Sequence, residues 1–364
     1  MKSRRDLVFV SAGLGLDGGG RALAGRLLAG SCAAFARERR IGFRILSLDG
    51  GETPGIESPA RGFGGDQRDL ALAVWKAQMA GRGEVYIFDH LGPARVQAYL
   101  PTALQAPFLV PLYGIEVWRP LGWDRRRTLA KATVRFAISS HTLERARPFC
   151  PDLAGTAVLP LALEERQPAG MVDASLLYRL GQGWLFVCSR LASGDRYKGV
   201  DQLLEALPGL RARHPGARLV VAGEGDDRPR LEAKAASLGL GAAAAFTGFV
   251  SEATLVELYR RCAAFVMPSK GEGFGLVYLE AMRASRPVLA ARGSAAEEIV
   301  RHGETGLLID PDDREELTAA LARLLGEPET ARRMGEAGRE RWQREFGIER
   351  FRERLWPLLE RLIG

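Results

Sequence analysis

Along the chain, apolar runs of four or five residues alternate with longer stretches in which apolar positions recur every three or four residues. The short runs read as strands buried on both faces and the longer stretches as amphipathic helices, and their alternation predicts parallel sheets. In the first half, strands are expected at Leu7–Ser11, Phe43–Leu48, Val85–Asp89, Phe108–Leu112, Val134–Ser139 and Ala157–Leu161, with helices at Arg21–Arg40 and around Gln67–Met79. Residues 163–182 turn polar and irregular around Gln167-Pro168-Ala169-Gly170, which reads as a linker. The pattern restarts at Trp184-Leu185-Phe186-Val187-Cys188 and continues through Arg218–Ala222, Ala244–Thr247, Ala263–Met267, Pro287–Ala290 and Leu307–Ile309. Helical stretches at Arg314–Leu325, Glu329–Arg344 and Ile348–Leu362 close the chain. The last carries Phe351, Leu355, Leu358, Leu359 and Leu362 on one face, and Pro357 is expected to kink it. The expected class is α/β: two Rossmann-like, doubly wound parallel-sheet domains facing a cleft. One spans 1–168 and takes the C-terminal helix of about 347–364; the other spans 169–346. Ligands of such sheets bind outside the carboxyl ends of the strands.

Composition narrows the class further. A chain of 364 residues, 46% hydrophobic and 26% charged, is long enough for two cores and is neither fibrous nor disordered. The net charge of +7 is one-sided: residues 1–170 hold 23 Lys+Arg against 16 Asp+Glu, while residues 171–364 hold 28 of each. Arg119, Arg125, Arg126, Arg127, Lys131 and Arg135 are the densest basic cluster. Such a face suits an anionic membrane surface or simply solvent. No zinc, helix-turn-helix or base-stacking signature accompanies it, so nucleic acid is not an expected partner. The four cysteines lie far apart with no C-x-x-C spacing, and read as free thiols in a reducing cytosol. The start Lys2-Ser3-Arg4-Arg5-Asp6 leads into a first strand rather than a signal peptide, and no run of about 18 apolar residues offers a membrane span.

The densest chemistry lies in Pro268-Ser269-Lys270-Gly271-Glu272-Gly273-Phe274-Gly275-Leu276-Val277-Tyr278-Leu279-Glu280-Ala281-Met282. A buried strand runs into a glycine loop and then a helix, with Glu272 in the loop and Glu280 about a turn and a half inside the helix. Free amides and the positive end of the helix face an anion there. Two acids beside one anion site suit sugar hydroxyls and not a second phosphate. Ser189-Arg190-Leu191 ends the first strand of the second half, and Lys198-Gly199 opens the next helix. Arg190 and Lys198 together suit a diphosphate, although Asp195 and Asp201 stand close enough in sequence to make them ordinary salt bridges. Gly223-Glu224-Gly225-Asp226 and Phe249-Val250 leave strands on the same edge, where Phe249 and Val250 can read a base.

In the first half, Gly13, Gly15 and Gly18 fit G-x-G-x-x-G ahead of Gly19-Gly20-Arg21. Asp49, as the ribose acid of a dinucleotide site, lies 31 residues beyond Gly18 where about 20 is expected. Of four histidines only His90 follows a clear strand, and it stands either as a structural residue or as a partner for a sugar hydroxyl or a proton. Asp310-Pro311-Asp312 resembles a metal-binding D-x-D, but reads as a helix start capped by Asp312 or Asp313; no metal is expected.

Taken in order, Gly-Glu-Gly-Asp at 223–226, Phe-Thr-Gly-Phe-Val at 246–250, Pro-Ser-Lys-Gly-Glu-Gly-Phe-Gly at 268–275, Glu-Ala-Met at 280–282 and Gly-Glu-Thr-Gly-Leu-Leu at 303–308 resemble the retaining glycosyltransferases of the GT-B fold, family four. The acid pair looks like that family's E-x7-E motif. The match is strongest from Trp184 to Asp312; the first half matches more loosely, through 18–21, His90 and Tyr113–Trp118. The resemblance implies that Glu272 binds the donor sugar, Glu280 the ribose, and Arg190 and Lys198 the diphosphate, with amides near Phe274, Gly275 and Leu276. It further implies that Gly19 and Gly20 approach the donor, that His90 faces the sugar, and that the C-terminal helix crosses back to the first domain. The chain departs from the family where Ser285 replaces a frequent glycine and Tyr113 a frequent histidine.

The reaction this implies is transfer of a hexose from a nucleoside diphosphate sugar (GDP-mannose or a UDP-hexose) to a hydroxyl, with retention and without a cofactor. The acceptor would be a glycan or lipid-linked molecule in envelope polysaccharide or glycolipid synthesis. The expected location is cytoplasmic, at the inner face of the plasma membrane. Two alternatives stand beside it: a sugar-nucleotide epimerase, and a non-catalytic binding protein of similar two-lobed build.

Overall fold

The computed structural model describes residues 5–15, 19–50, 53–81, 83–150, 153–165 and 170–364. It divides into two compact units, Met1–Ala162 with Ile348–Gly364, and Leu163–Gly347.

The first unit holds a seven-stranded parallel sheet. Its strands are β1 (Leu7–Ser11), β2 (Phe43–Ser47), β3 (Ala60–Gly62), β4 (Val85–Phe88), β5 (Phe108–Leu112), β6 (Val134–Ala137) and β7 (Ala157–Val158), in the order β3-β2-β1-β4-β5-β6-β7. β1, β4 and β5 are fully buried along their length, because helices cover both faces; this is why they read as unbroken apolar runs. β3 had no apolar signature: it is three residues long and two of them are exposed, yet Ile45, Leu46 and Ser47 pair with it. The helix Ile348–Ile363 belongs to this unit and continues through Pro357. Its Phe351, Leu355, Leu358, Leu359 and Leu362 are buried, and Trp356 meets Phe35 edge-on at 5.9 Å.

The second unit repeats the design with six strands: β8 (Leu185–Cys188), β9 (Leu219–Ala222), β10 (Ala244–Gly248), β11 (Ala264–Met267), β12 (Val288–Ala291) and β13 (Gly306–Ile309), ordered β10-β9-β8-β11-β12-β13. The unit begins at Leu163, the first residue of the stretch read as a linker. Leu163 bonds Phe346 through its N–H and Trp342 through its carbonyl, which ties it to the helix Pro328–Glu345. The residues Gln167, Pro168 and Ala169 lie outside the described residues.

In each unit the chain starts on a central strand, winds one way for two strands, then returns beside the first. The reversal falls between β1 and β4, and between β8 and β11. Doubly wound sheets open a crevice for ligands at such a switch point.

Candidate active site

At the switch point of the second unit, the loop leaving β8 meets the loop leaving β11. Gly199, at φ +85°, allows the approach: a Cβ there would lie 2.7 Å from the carbonyl oxygen of Pro268. Lys198 then stands with its Nζ 3.6 Å from Glu272 Oε1, an ion pair joining the two loops. Ser269 donates to the same oxygen at 3.3 Å. Both members of the pair are mostly enclosed, so their attraction is screened less than at an open surface.

Beside them the helix Leu276–Arg283 starts at Gly275 (φ +97°) with no side-chain cap. Its first amides and its positive end are therefore presented to whatever occupies the crevice. Phe274 is buried, while Leu276 is partly exposed. A packed aromatic set fixes the helix from below: Phe186, Tyr259, Phe265 and Tyr278 lie with ring centres 5.0–6.1 Å apart. Tyr278 donates to the carbonyl of Met267 at 3.0 Å, and Tyr259 donates to Glu280 Oε2 at 2.7 Å. Burial raises the Glu280 carboxyl above the usual range, with the Tyr259 bond opposing it. Cys188 ends β8 in the field of both Glu280 and Lys198. Burial first, then Glu280, push its thiol up to about 12, with Lys198 pulling the other way. Nothing in the spacing of the motifs marks Cys188 or Tyr259 as neighbours of these groups; only the fold brings them to Glu280.

Arg190 also leaves this edge, but its guanidinium is committed: Nε donates to Asp195 Oδ2 at 2.6 Å. The salt bridge to Asp195 that the sequence spacing allows is therefore formed. Asp195 is buried, so the pair fixes the arginine while most of its side chain stays exposed. Asp201 pairs instead with Arg230 and Lys234. The Tyr197 ring lies on Gly271, where a Cβ would approach it to 2.8 Å.

Gly223 serves close packing. At φ +132° it lies against the β8 loop, and a Cβ would come 1.9 Å from the carbonyl oxygen of Ser189. Phe249 and Val250 leave β10 at the margin of the sheet, with Phe249 74% exposed. Asp313 caps the helix Arg314–Gly326 by accepting from the Glu316 amide at 2.9 Å, and Lys270 pairs with Asp312.

The switch point of the first unit carries a hydrogen-bonded cluster of a carboxylate, a hydroxyl and an imidazole instead. Asp89 is buried and accepts from Ser11 Oγ at 2.6 Å and the Ala12 amide at 2.9 Å through Oδ2, and lies 2.7 Å from His90 Nδ1 through Oδ1. Asp89 carried no signal in the sequence beyond ending a strand. Gly19 and Gly20 open the helix Gly19–Arg39, exposed, and a Cβ on either would meet nothing within 4 Å. Gly18 lies outside the described residues. Asp49 packs on Gly13, with Oδ2 1.9 Å from where a Cβ would stand. Within the basic cluster, Arg127, Lys131 and Arg135 donate to backbone carbonyls of Ala98, Leu100, Leu129 and Ala154, so part of that charge braces the fold.

Comparison with known proteins places this geometry. The family model for glycosyl transferases group 1 matches residues 186–341. The GDP-mannose-dependent alpha-(1-6)-phosphatidylinositol monomannoside mannosyltransferase of Mycobacterium tuberculosis is 34% identical over 268 residues, spanning 67% of this chain and 69% of that one. Glycogen synthase of the same organism is 36% identical over 168 residues, 46% of this chain and 40% of its own. Among solved structures, sucrose-phosphate synthase of Thermosynechococcus elongatus superposes with a TM-score of 0.77 at 21% identity, covering 98% of this chain and 99% of that one. HepE of Anabaena, solved with UDP and glucose, gives 0.76 at 18% identity over the same shares. The chain belongs to the group 1 glycosyl transferases, with the GT-B fold, and is a glycosyltransferase.

Proposed function

We propose that the chain moves a hexose from a nucleoside diphosphate sugar, GDP-mannose or a UDP-hexose, to a hydroxyl acceptor with retention at the anomeric carbon and without a metal. The observation that carries this reading is the Lys198–Glu272 pair, 3.6 Å apart at the β8/β11 switch point and beside an uncapped helix start. Breaking the bond from sugar to diphosphate leaves an oxocarbenium-like sugar and a leaving group gaining negative charge. Lys198, Arg190 and the amides at Gly275 and Leu276 oppose that growing charge, in the role a divalent cation would otherwise fill. Glu272 holds sugar hydroxyls next to the diphosphate, and Glu280, steadied by Tyr259, holds the ribose. Phe249 and Val250 flank the base, and Gly223 keeps the β8 loop in place below it. The acceptor attacks on the face the diphosphate leaves, with no covalent intermediate on the protein, and a phosphate oxygen takes its proton. Donor, acceptor and enzyme together release free nucleoside diphosphate in EDTA. Losing one charge contact costs about 2.7–4 kcal/mol of barrier, ~100–1,000-fold in kcat, so Lys198→Ala and Glu272→Ala each reduce release to near background. Near-wild-type release from both variants contradicts this site.

The acceptor, on this reading, is lipid-linked and met at an anionic membrane on the cytoplasmic side. Among the described residues no helix is long and apolar enough to cross a membrane. What supports surface binding is an exposed aromatic pair, Trp123 (60%) and Tyr99 (55%), with ring centres 5.6 Å apart and Arg127 over the Trp123 ring. Aromatic and cationic side chains together suit the headgroup region. The protein co-sediments with anionic vesicles at low salt, and Trp123→Ala with Tyr99→Ala lowers the bound fraction. Equal retention by the double variant removes the patch from the account.

A further inference from the structure

We infer that Asp89 sets the tautomer of His90, so that Nε2 is presented unprotonated as a hydrogen-bond acceptor for a substrate hydroxyl, and that Gly92 keeps that nitrogen uncovered. This rests on the proposed reaction, with His90 facing the donor sugar as the resemblance to the family implies. An ionised carboxylate only accepts hydrogen bonds, so at 2.7 Å from Asp89 Oδ1 the proton of a neutral His90 ring belongs on Nδ1. The carboxylate cannot turn away. Its other oxygen is held by Ser11 and Ala12, and Ser11 is itself oriented because its Oγ accepts from the Gly13 amide at 3.0 Å. The His90 backbone is extended (φ −165°, ψ 178°) and its ring caps nothing on the short helix Leu91–Ala94, so the imidazole is free to serve the carboxylate. The ring lies over Gly92: a Cβ at that position would come 2.5 Å from Nε2. Any other residue there would cover the acceptor nitrogen or turn the ring off Asp89. Both are positioning residues that act through His90.

The His90 tautomer can be read directly by spectroscopy. The Ala12 amide and Ser11 hydroxyl both point at Oδ2, so in Asp89→Asn the amide oxygen takes that place and the NH2 group faces His90 Nδ1. The ring must then accept at Nδ1 and carry its proton on Nε2. Long-range 1H–15N spectra of the ligand-free protein, with His90 assigned among the four histidines by His90→Gln, read this without any turnover. Wild type shows the Nδ1–H form and Asp89→Asn the Nε2–H form. kcat/KM for the donor sugar falls about 10–100-fold, as outer-sphere orienting groups typically give, while binding of UDP or GDP alone is unchanged. Gly92→Ala lowers kcat/KM by a similar factor, and it carries the test with the wild-type spectrum should Asp89→Asn not fold. A wild-type ring protonated on Nε2, or an Asp89→Asn protein with the wild-type tautomer, overturns the inference. An inverted tautomer with unchanged turnover instead removes His90 from the proposed reaction.

Discussion

The two units share one strand order and one switch-point geometry, yet fill the switch points with opposite chemistry. Between β8 and β11 stand Lys198, Glu272 and an uncapped helix start, a charged crevice suited to phosphates and sugar hydroxyls. Between β1 and β4 stand Ser11, Asp89 and His90, in which the carboxylate is consumed internally and only an imidazole edge is offered. A carboxylate steadied by a hydroxyl sits at each: Ser11 bonds Asp89, and Tyr259 bonds Glu280. The frame therefore decides where a ligand can bind, and the loop residues decide which chemistry it meets.

The glycines of the two crevices differ in the same way, and substituting them sharpens the contrast most. A Cβ at Gly223 meets backbone at 1.9 Å, at a φ that side chains rarely adopt, and nothing there can move without displacing the β8 loop. A Cβ at Gly13 meets only the side chain of Asp49, which is exposed and can swing aside. Gly223→Ala should cost about 3 kcal/mol, or about 6–12 °C of Tm for a unit of this size, and weaken donor binding. Gly13→Ala should cost under about 1 kcal/mol. Equal melting temperatures for the two variants would show that the β8 loop is not wedged as described.

A smaller effect should be the same in both units. Each ends one helix on a non-glycine residue with positive φ, Arg40 at 54° and Ser285 at 56°. In both, the residue after it bonds back five positions, from Ile41 to Ala36 and from Arg286 to Ala281, the closure that favours glycine. Left-handed geometry costs a side chain roughly 1–2 kcal/mol, partly offset by the extra freedom glycine gives the unfolded chain. Arg40→Gly and Ser285→Gly should each raise Tm by about 1–2 °C. A fall in either would mean that its side chain supplies more than the backbone strain removes.

These particulars mark what the sequence could show. β1, β4, β8 and β11 were legible because burial on both faces makes each a solid apolar run, and the acid pair because glycines and charges crowd a short loop. β3 was not legible, since two of its three residues face solvent and its pairing is its only signature. The backbone strain at Ser285 is equally silent, although the resemblance to the family marks that position as one where glycine is frequent. The partners of the chemical groups were hidden for another reason. Tyr259 lies 21 residues from Glu280, on the helices either side of β11, and Ser11 lies 78 from Asp89, at the ends of strands that only the sheet order makes neighbours. Arg190 shows the converse: its sequence neighbour Asp195 was visible, but only burial of that acid tells a brace from a surface salt bridge.

The most direct measurement is a crystal structure of the protein with UDP or GDP bound. The account predicts the diphosphate at the β8/β11 switch point, with its terminal phosphate within hydrogen-bond distance of Lys198 Nζ and of the amides at Gly275 and Leu276, and the ribose on Glu280. A nucleotide whose phosphates lie away from Lys198 and this helix start would contradict it.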